Sequence, residues 1–286
     1  MAWRTGILLA VLAALSPYLY DLGRVVRILI INDPEKLPKV ANFTAHATLF
    51  GDHMRNCEDM FMDSTSGFAI VSCNPGRDDW NTVMVGSPPP EFTRGALVER
   101  PQGNYVDSSG HGSLYLYRYA DAADKPPALI PLEGFDAPFH PLGVTYHRAS
   151  QTLAVANHGG EQASVEVFTL EPKVPRALFR QSISDPAKLP TPNSLVFLNA
   201  THLYASNSHQ IATFSKPSTL TARLRVNLAW LEHRLGLPTG SVSLIDLATK
   251  KVTKVLRQSF ANGVDLLDDG QTMVVAGTTL TPKADF

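Results

Sequence analysis

GVTYHRASQTLAVANH (residues 143–158) contains two short runs in which apolar and polar residues alternate, with a polar turn between them. Alternation with a period of two, together with Val, Thr and Tyr, is the signal of a half-buried β-strand. The stretch therefore predicts a pair of antiparallel strands joined by a tight turn.

The same arrangement recurs further along the chain. GVDLLDDGQTMVVAG (263–277) is a close copy, and NSLVFLNATHLYASN (193–207) is a looser one. Repeats of roughly 40–50 residues with several strands each are typical of the blades of a β-propeller. The longer interval before residue 263 contains an inserted segment. A β-sandwich, which needs no repeat, is the alternative architecture.

Other segments and the composition support a largely β-stranded domain. FAIVSC (68–73), GSLYLYRY (112–119), SVEVFTLE (164–171) and SVSLIDL (241–247) are further predicted strands, and 21 prolines with 19 glycines favour many turns. A net charge of −1 argues against a nucleic-acid partner. No glycine-rich phosphate-binding motif follows a strand, which argues against the nucleotide-binding folds.

The N-terminus has a different character. Arg4 precedes an uncharged, mainly apolar run from Thr5 to Tyr20, as in a secretory signal or signal anchor. The run is slightly short for a membrane span, and Pro17 disfavours cleavage after Ser16, so we expect retention. A buried core helix is the alternative.

We therefore divide the chain into a leader (1–27), a connector (28–44) and a partial propeller (45–286). This organisation predicts a protein of the secretory pathway, either membrane-anchored or secreted. Two glycosylation sequons, at Asn42 and Asn199, agree with that prediction.

Cys57 and Cys73 lie at equal distances from a predicted turn near Thr65. In a hairpin they could face each other and form a disulfide, which a secreted location permits. Two free thiols are the alternative, because a register slip of one residue would place the side chains on opposite faces.

One helix is expected, at about residues 218–235. Leucines recur there every three or four positions, Ser218 is a suitable N-cap, and Gly236 ends the pattern. Such a stripe usually packs on its own domain. An interfacial helix lying on a membrane is the alternative.

Several polar residues at predicted strand ends could carry chemistry. Glu58 and Asp59 are adjacent carboxylates, and the other residues are side-chain amides and imidazoles: Asn193, Asn207, Asn262, His140, His158 and His209. Each alone is an ordinary turn or capping residue. Their recurrence at equivalent points of the repeat favours a metal site, because carboxylate and amide oxygens suit calcium.

Four ordered segments resemble successive parts of the serum paraoxonase/arylesterase family. They are NCEDMFMDSTSGFAIVSC (56–73), FDAPFHPLGVTYHRASQTLAVANHGGEQASVEVFTLE (135–171), LPTPNSLVFLNATHLYASNSH (189–209) and SFANGVDLLDDGQTMVVAG (259–277). The NLAW segment (227–230) and the retained leader are also similar to the family. The resemblance implies a six-bladed propeller with two calcium ions in its central channel, which hydrolyses lactones and aryl esters; about four blades would be present here.

The resemblance also assigns expected roles to individual residues. Glu58, Asn193 and Asn262 fall on ligands of the catalytic calcium, whereas Asp59 and the backbone carbonyl of Val144 fall on ligands of the deeper, structural calcium. His158 matches the second histidine of the family's proposed catalytic pair, and His209 matches a channel-side histidine.

Departures from the family's pattern qualify the expected activity. Leu142 replaces the first catalytic histidine, so the role of general base is lost or moves to His140. Ser194 replaces an aspartate ligand of the structural calcium, and the sequence reaches Phe286 before the family's Asp-Asn ligand pair. We therefore expect little lactonase activity from these 286 residues. The alternatives are a non-catalytic calcium-binding scaffold and a truncated product without activity.

Overall fold

The computed structural model describes residues 2–31, 36, 38, 49–51, 54–78, 111–121, 125–160, 162–212, 220–267 and 269–278. The chain divides into two compact units, which are residues 1–47 with 279–286, and residues 48–278. The first unit contains helix α1 (Ala2–Ile31), which includes Pro17 and residues 2–27 of the predicted leader. Among the described side chains, neither helix provides a stretch long and apolar enough to cross a membrane. Asn42 lies outside the described residues.

The second unit is built of short strands, as the sequence predicts, and its described part forms four sheets. The first sheet contains β1 (Cys57–Asp63), β2 (Phe68–Cys73), β3 (Ser113–Tyr117) and β4 (Ala128–Leu129). The second contains β5 (Leu132–Glu133), β6 (Pro141–His147), β7 (Thr152–Asn157), β8 (Ser164–Glu171) and β9 (Arg176–Ile183). The third contains β10 (Pro192–Asn199), β11 (His202–Asn207), β12 (Ser241–Asp246) and β13 (Val252–Arg257), and the fourth contains β14 (Ala261–Leu266) and β15 (Met273–Gly277).

Within each sheet the chain runs as an antiparallel meander, apart from β5, which pairs parallel with β9. The antiparallel meanders begin with β1, β6, β10 and β14, which we call the first strands of the four sheets. The first strand of each sheet contacts the first strand of the next: β1 contacts β6, β6 contacts β10 and β10 contacts β14. Sheets that are adjacent in space are therefore also consecutive along the chain. The described residues do not include a sheet that closes this series into a ring.

Two apolar layers hold successive sheets together. Alternate side chains of β7 point to opposite faces, so Leu153 and Val155 join Ile70 of the first sheet in one layer, whereas Ala154 and Ala156 join the third sheet in the other. Burial of a large aliphatic side chain contributes about 1.5–3 kcal/mol. The period-two pattern that predicts the strands is thus also the pattern that joins the sheets.

The predicted disulfide is confirmed. Cys57 and Cys73 are directly opposite each other in the β1–β2 hairpin and form a disulfide bond. The turn between the two strands spans residues 64–67. It is stabilised by Asp63, whose Oδ1 accepts hydrogen bonds from the backbone N–H groups of Thr65 and Ser66, each at 3.0 Å.

The predicted inserted helix is α2 (Leu220–Arg234). It ends before Gly236, which has a φ of 57°, the left-handed conformation common after a helix C-terminus. Glu232 attaches the helix to the sheets, because its carboxylate accepts hydrogen bonds from the N–H groups of Gln210 (2.6 Å) and Ile211 (3.0 Å). The leucine stripe does not pack on the domain as such stripes usually do: all five leucines, Leu220, Leu224, Leu228, Leu231 and Leu235, are exposed.

Candidate functional site

All four first strands contain a β-bulge at the same point. The register with the second strand shifts between Cys57 and Asp59 in β1, and equivalent shifts occur near the start of the other three strands. A bulge leaves a residue without an opposite partner and re-aims its side chain. The residues that follow the first paired residue of each strand are Glu58, Leu142, Asn193 and Asn262.

Close backbone packing aligns the bulges of β6 and β10. A Cβ atom on Gly143 would lie 2.2 Å from the carbonyl oxygen of Asn193 and 2.7 Å from the Cα atom of Ser194. Real Cβ atoms do not approach other atoms so closely, so only glycine permits this contact. The equivalent residue of β14, Gly263, has room for a side chain, because its Cβ would lie 3.6 Å from that of Ala276.

Serine hydroxyls connect successive sheets behind the bulges. Ser72 of β2 donates to the carbonyl oxygen of Leu142 at 2.5 Å. Ser206 of β11 makes the equivalent hydrogen bond to the carbonyl oxygen of Asn262. These bonds join β2 to β6 and β11 to β14, so each links the second strand of one sheet to the first strand of the bulge series in the next sheet.

Glu58 and Asp59 have different environments, although they are adjacent. The Glu58 side chain is accessible to solvent, but protein lies on most sides of it, and this burial raises its pKa to about 7 against the opposing effect of Arg77. Burial also raises the pKa of Asp59. Asp59 Oδ2 accepts the N–H of Val144 at 2.9 Å, and Oδ1 accepts the N–H of Met60 at 2.8 Å. The structure therefore brings Asp59 and Val144 together, with the amide rather than the carbonyl of Val144 facing the carboxylate.

Asn193 and Asn262 are held in the same way. Asn193 is buried and donates Nδ2–H to Ser208 Oγ at 2.9 Å, and Asn262 donates Nδ2–H to Thr278 Oγ1 at 3.0 Å. Each hydroxyl lies just beyond the strand that pairs with the asparagine's own strand. Because the amide nitrogens are used as donors, the Oδ1 atoms are the groups oriented to accept a ligand.

The three predicted histidines are buried near one another. The His158 ring donates Nε2–H to the carbonyl oxygen of Pro192 at 2.8 Å. The backbone N–H of His158 donates to the carbonyl oxygen of His140 at 3.1 Å. His140 Nδ1 lies 3.0 Å from Asn74 Nδ2, and the ring of His209 packs edge-to-face on Phe260. Burial lowers the pKa of His158 to about 3, and the charges of Arg77, His140 and His209 contribute to the decrease. His158 is therefore neutral at physiological pH.

Arg77 is a residue of this region that the sequence analysis missed. It lies in a 3₁₀ turn (Pro75–Asp78) directly after β2 and donates Nη2–H to the carbonyl oxygen of Pro141 at 3.0 Å. Burial lowers the pKa of its guanidinium, and its charge acts on both Glu58 and His158. The sequence Asn74-Pro75-Gly76 is typical of a turn, but it gives no reason to place the following arginine in the site.

The donor set fits a hard cation in kind but supplies few ligands. Glu58 contributes a carboxylate and two asparagines contribute amide oxygens, whereas calcium takes six to eight oxygens. Leu142 fills the fourth equivalent position with an apolar side chain that is completely buried. No group of three or more His, Cys, Asp or Glu side chains suited to a metal occurs in the part of the chain that the structure describes.

No family model matches the chain. Among solved structures, it is similar to a gluconolactonase from Xanthomonas campestris at 13% identity and a TM-score of 0.46, over 82% of this chain and 58% of that one. It is also similar to a eukaryotic initiation factor at 12% identity and a TM-score of 0.35, over 79% of this chain and 50% of that one. This chain thus spans between half and three fifths of the length of these two proteins. At these scores neither likeness bears on function.

Proposed function

We propose that the four sheets are consecutive blades of a β-propeller and that the protein belongs to a lineage of calcium-dependent hydrolases of lactones and aryl esters. The resemblance of four ordered segments to the paraoxonase/arylesterase family supports the proposal. The observation that carries it is the row of bulges, which holds Glu58, Asn193 and Asn262 at equivalent positions of strands belonging to a consecutive series.

The chain's own residues suit such a site in two respects. Burial raises the pKa of the Glu58 carboxyl to about 7, and a bound cation would favour its charged form. Ser208 and Thr278 orient the two amides, as outer-shell hydrogen bonds do in metal sites. When bound, calcium polarises a carbonyl oxygen and stabilises the negative charge that develops on it.

The proposed roles of the histidines rest on their proximity to this row. His158 donates Nε2–H to the carbonyl oxygen of Pro192, so in this tautomer Nδ1 is the ring nitrogen that carries the lone pair. A pKa of about 3 makes it a weak base in the conformation described. Its assignment as the catalytic base, and those of His140 and His209, stay predictions.

Calcium binding can be tested separately from turnover. We expect calcium to raise the melting temperature of the full chain relative to EGTA, because a ligand that binds the folded state stabilises it by mass action. Glu58→Gln should abolish this increase. Glu133→Gln, a charge change at an exposed carboxylate of β5, should retain it. A melting temperature that is indifferent to calcium in the parent chain would contradict the site.

Hydrolysis of phenyl acetate and δ-valerolactone, measured in the same samples, distinguishes the enzyme from its alternative. A non-catalytic calcium-binding scaffold is favoured by two observations: Leu142 occupies the position of a catalytic histidine, and His158 has a strongly lowered pKa. Calcium-dependent stabilisation without turnover supports the scaffold, whereas calcium-dependent turnover that is lost in His158→Ala supports the enzyme.

We further propose that the protein enters the secretory pathway and contacts membranes through its N-terminal segment and α2. The exposed leucine stripe of α2 supports the second contact. Asn199 is exposed at the end of β10, where a glycan could be attached. A change in the protein's gel mobility on glycosidase treatment after eukaryotic expression would support entry into the secretory pathway. Flotation of the protein with liposomes that is lost in Leu224→Asp would support the membrane contact of α2. Unchanged mobility together with cytosolic fractionation would contradict them.

A further inference from the structure

A cavity of about 240 Å³ lies at the ends of β7, β8 and β9, among residues that the proposed hydrolase site does not use. Its lining is largely polar and includes Asn157, Gln162, Ser164, Glu166, Ser182 and Ser184. Among the described lining residues Glu166 is the one with a full charge, and none is basic. The cavity is larger than a single water molecule needs, and its lining includes side-chain oxygen atoms that can accept hydrogen bonds or coordinate a cation.

Glu166 gives this cavity an uncompensated negative charge. The residue is 2% exposed. Its Oε1 atom accepts hydrogen bonds from Ser164 Oγ at 2.6 Å and from Asn157 Nδ2 at 3.2 Å, but its buried Oε2 atom has no partner among the described residues. A buried carboxylate without a countercharge is costly, so such groups in proteins are normally paired with a cation.

The next sheet provides an internal comparison. Ser164-Val165-Glu166 of β8 corresponds to Ser241-Val242-Ser243 of β12, since Ser164 pairs with Asn157 and Ser241 pairs with Asn207 at the same point of each sheet. Ser243 uses its single oxygen to donate to the carbonyl of Lys188 at 2.6 Å. The third sheet thus has a neutral hydroxyl where the second sheet has a charged carboxylate beside a cavity. The fold does not require the charge, so its presence calls for a partner of opposite sign.

We propose that this cavity binds a small monovalent cation, either an alkali-metal ion or the ammonium group of a small amine. The Glu166 carboxylate supplies the charge, and the serine and glutamine oxygens of the lining supply further ligands or hydrogen-bond acceptors. A single carboxylate balances one positive charge, which favours a monovalent ion over calcium. The volume accommodates an ion with some of its water molecules or a short amine.

Asn157 links this cavity to the histidine region. Its Nδ2 group donates to Glu166 Oε1. Its Oδ1 atom accepts the backbone N–H groups of His140 at 2.8 Å and of Gly159, the residue after His158, at 2.9 Å. A cation that holds Glu166 in place would therefore stabilise the folded state near the histidines without contacting them.

The test measures thermal unfolding of the full chain in EGTA and tetramethylammonium chloride, an ion too bulky to coordinate closely and unable to donate a hydrogen bond. Sodium, potassium or ethylammonium chloride then replaces this salt at constant ionic strength. At a concentration ten times the dissociation constant, the bound cation should raise the melting temperature by roughly 3–6 °C for a domain of this size. The alkali-metal and ethylammonium arms distinguish the two sources of the charge.

Two variants serve as the comparison. Glu166→Gln should lose the salt-specific increase, whereas Glu171→Gln, which removes an exposed carboxylate from the same strand, should retain it. Equal melting temperatures of the parent chain in all four salts would overturn the proposal, as would an increase that persists in Glu166→Gln. Should Glu166→Gln not fold, anomalous diffraction from rubidium-soaked crystals of the parent chain decides: a peak in the cavity supports the proposal, and its absence refutes it.

Because EGTA is present throughout, this outcome does not depend on calcium binding at Glu58. Failure of the proposed hydrolase function would leave the salt-specific stabilisation intact, and failure of the cation site would leave the calcium response intact. The two proposals are therefore tested separately.

Discussion

Replacing Gly143 with alanine tests whether the close approach of β6 and β10 builds the candidate site. The added Cβ atom would lie 2.2 Å from the carbonyl oxygen of Asn193, so the two strands must separate by about 1 Å to reach an ordinary contact. The obstructing atoms are backbone atoms, which do not rotate away as a flexible side chain would. Overpacking of this kind typically costs about 1–3 kcal/mol, which corresponds to a decrease in melting temperature of roughly 2–12 °C for a domain of this size.

Gly263→Ala is the matched control for this experiment. Gly263 occupies the equivalent position of β14, and its added Cβ would make an ordinary contact with Ala276 at 3.6 Å. Both variants make the same chemical change in the same part of the repeat, so the difference between their melting temperatures, followed by far-ultraviolet circular dichroism, isolates the inter-strand contact. Equal melting temperatures for the two variants would show that β6 and β10 do not pack as described. A calcium response lost in Gly143→Ala but kept in Gly263→Ala would connect that contact to Asn193.

Three further predictions follow from the charges and the disulfide. Burial lowers the pKa of His158 to about 3 from its usual 6.5, so the unfolded chain binds more protons than the folded chain between these pH values. The free energy of unfolding should therefore fall as the pH decreases through this window, by up to about 1.4 kcal/mol per pH unit from this residue. The free energy of urea unfolding between pH 7 and 5 should depend less steeply on pH in His158→Gln than in the parent chain. Identical slopes in the two proteins would contradict a lowered pKa for His158. Arg77→Met removes a positive charge whose field reaches Glu58, so calcium affinity measured by calorimetry should increase several-fold, whereas a decrease would mean that Arg77 holds the site together. Replacing Cys57 and Cys73 with serine should lower the free energy of unfolding by about 2–4 kcal/mol, and a melting temperature unaffected by reductant in the parent chain would argue against this estimate.

The strands and their pairing could be predicted because one physical rule governs both. The alternation in TLAVANH identifies a strand and also distributes Leu153 and Ala154 to the two apolar layers between sheets. Cys57 and Cys73 were predictable as a pair for a related reason, since equal distances from a turn place residues opposite each other. The helix at 220–234 followed from leucine spacing and the glycine after it.

The bulges could not be predicted in the same way. A bulge is a property of the register between two strands, and the sequence of β1 alone does not show which residue lacks an opposite partner. Once the four registers are known, Glu58 and Leu142 prove to occupy equivalent positions, although their chemistry is opposite. The role of Arg77 was hidden for a related reason, because its turn and Pro141 are 64 residues apart in sequence.

Glu166 illustrates a different limit of prediction from sequence. In SVEVFTLE the polar residues alternate with apolar ones, which normally indicates that the polar face of the strand is in contact with water. In this fold other sheets or loops cover both faces of β8, and five consecutive residues from Ser164 to Phe168 are buried. Alternation therefore located the strand correctly but could not show that a charged side chain lies inside the protein.

The arrangement of the sheets has a consequence for how the protein folds. Each sheet is a meander of consecutive strands, and its first meander strand contacts that of the sheet before it in the sequence. The second unit can therefore form progressively from its N-terminal side during synthesis, with each completed sheet serving as the surface on which the next one assembles. The disulfide lies in the earliest of these sheets, so it links two strands of the surface on which the sheets that carry Asn193 and Asn262 assemble.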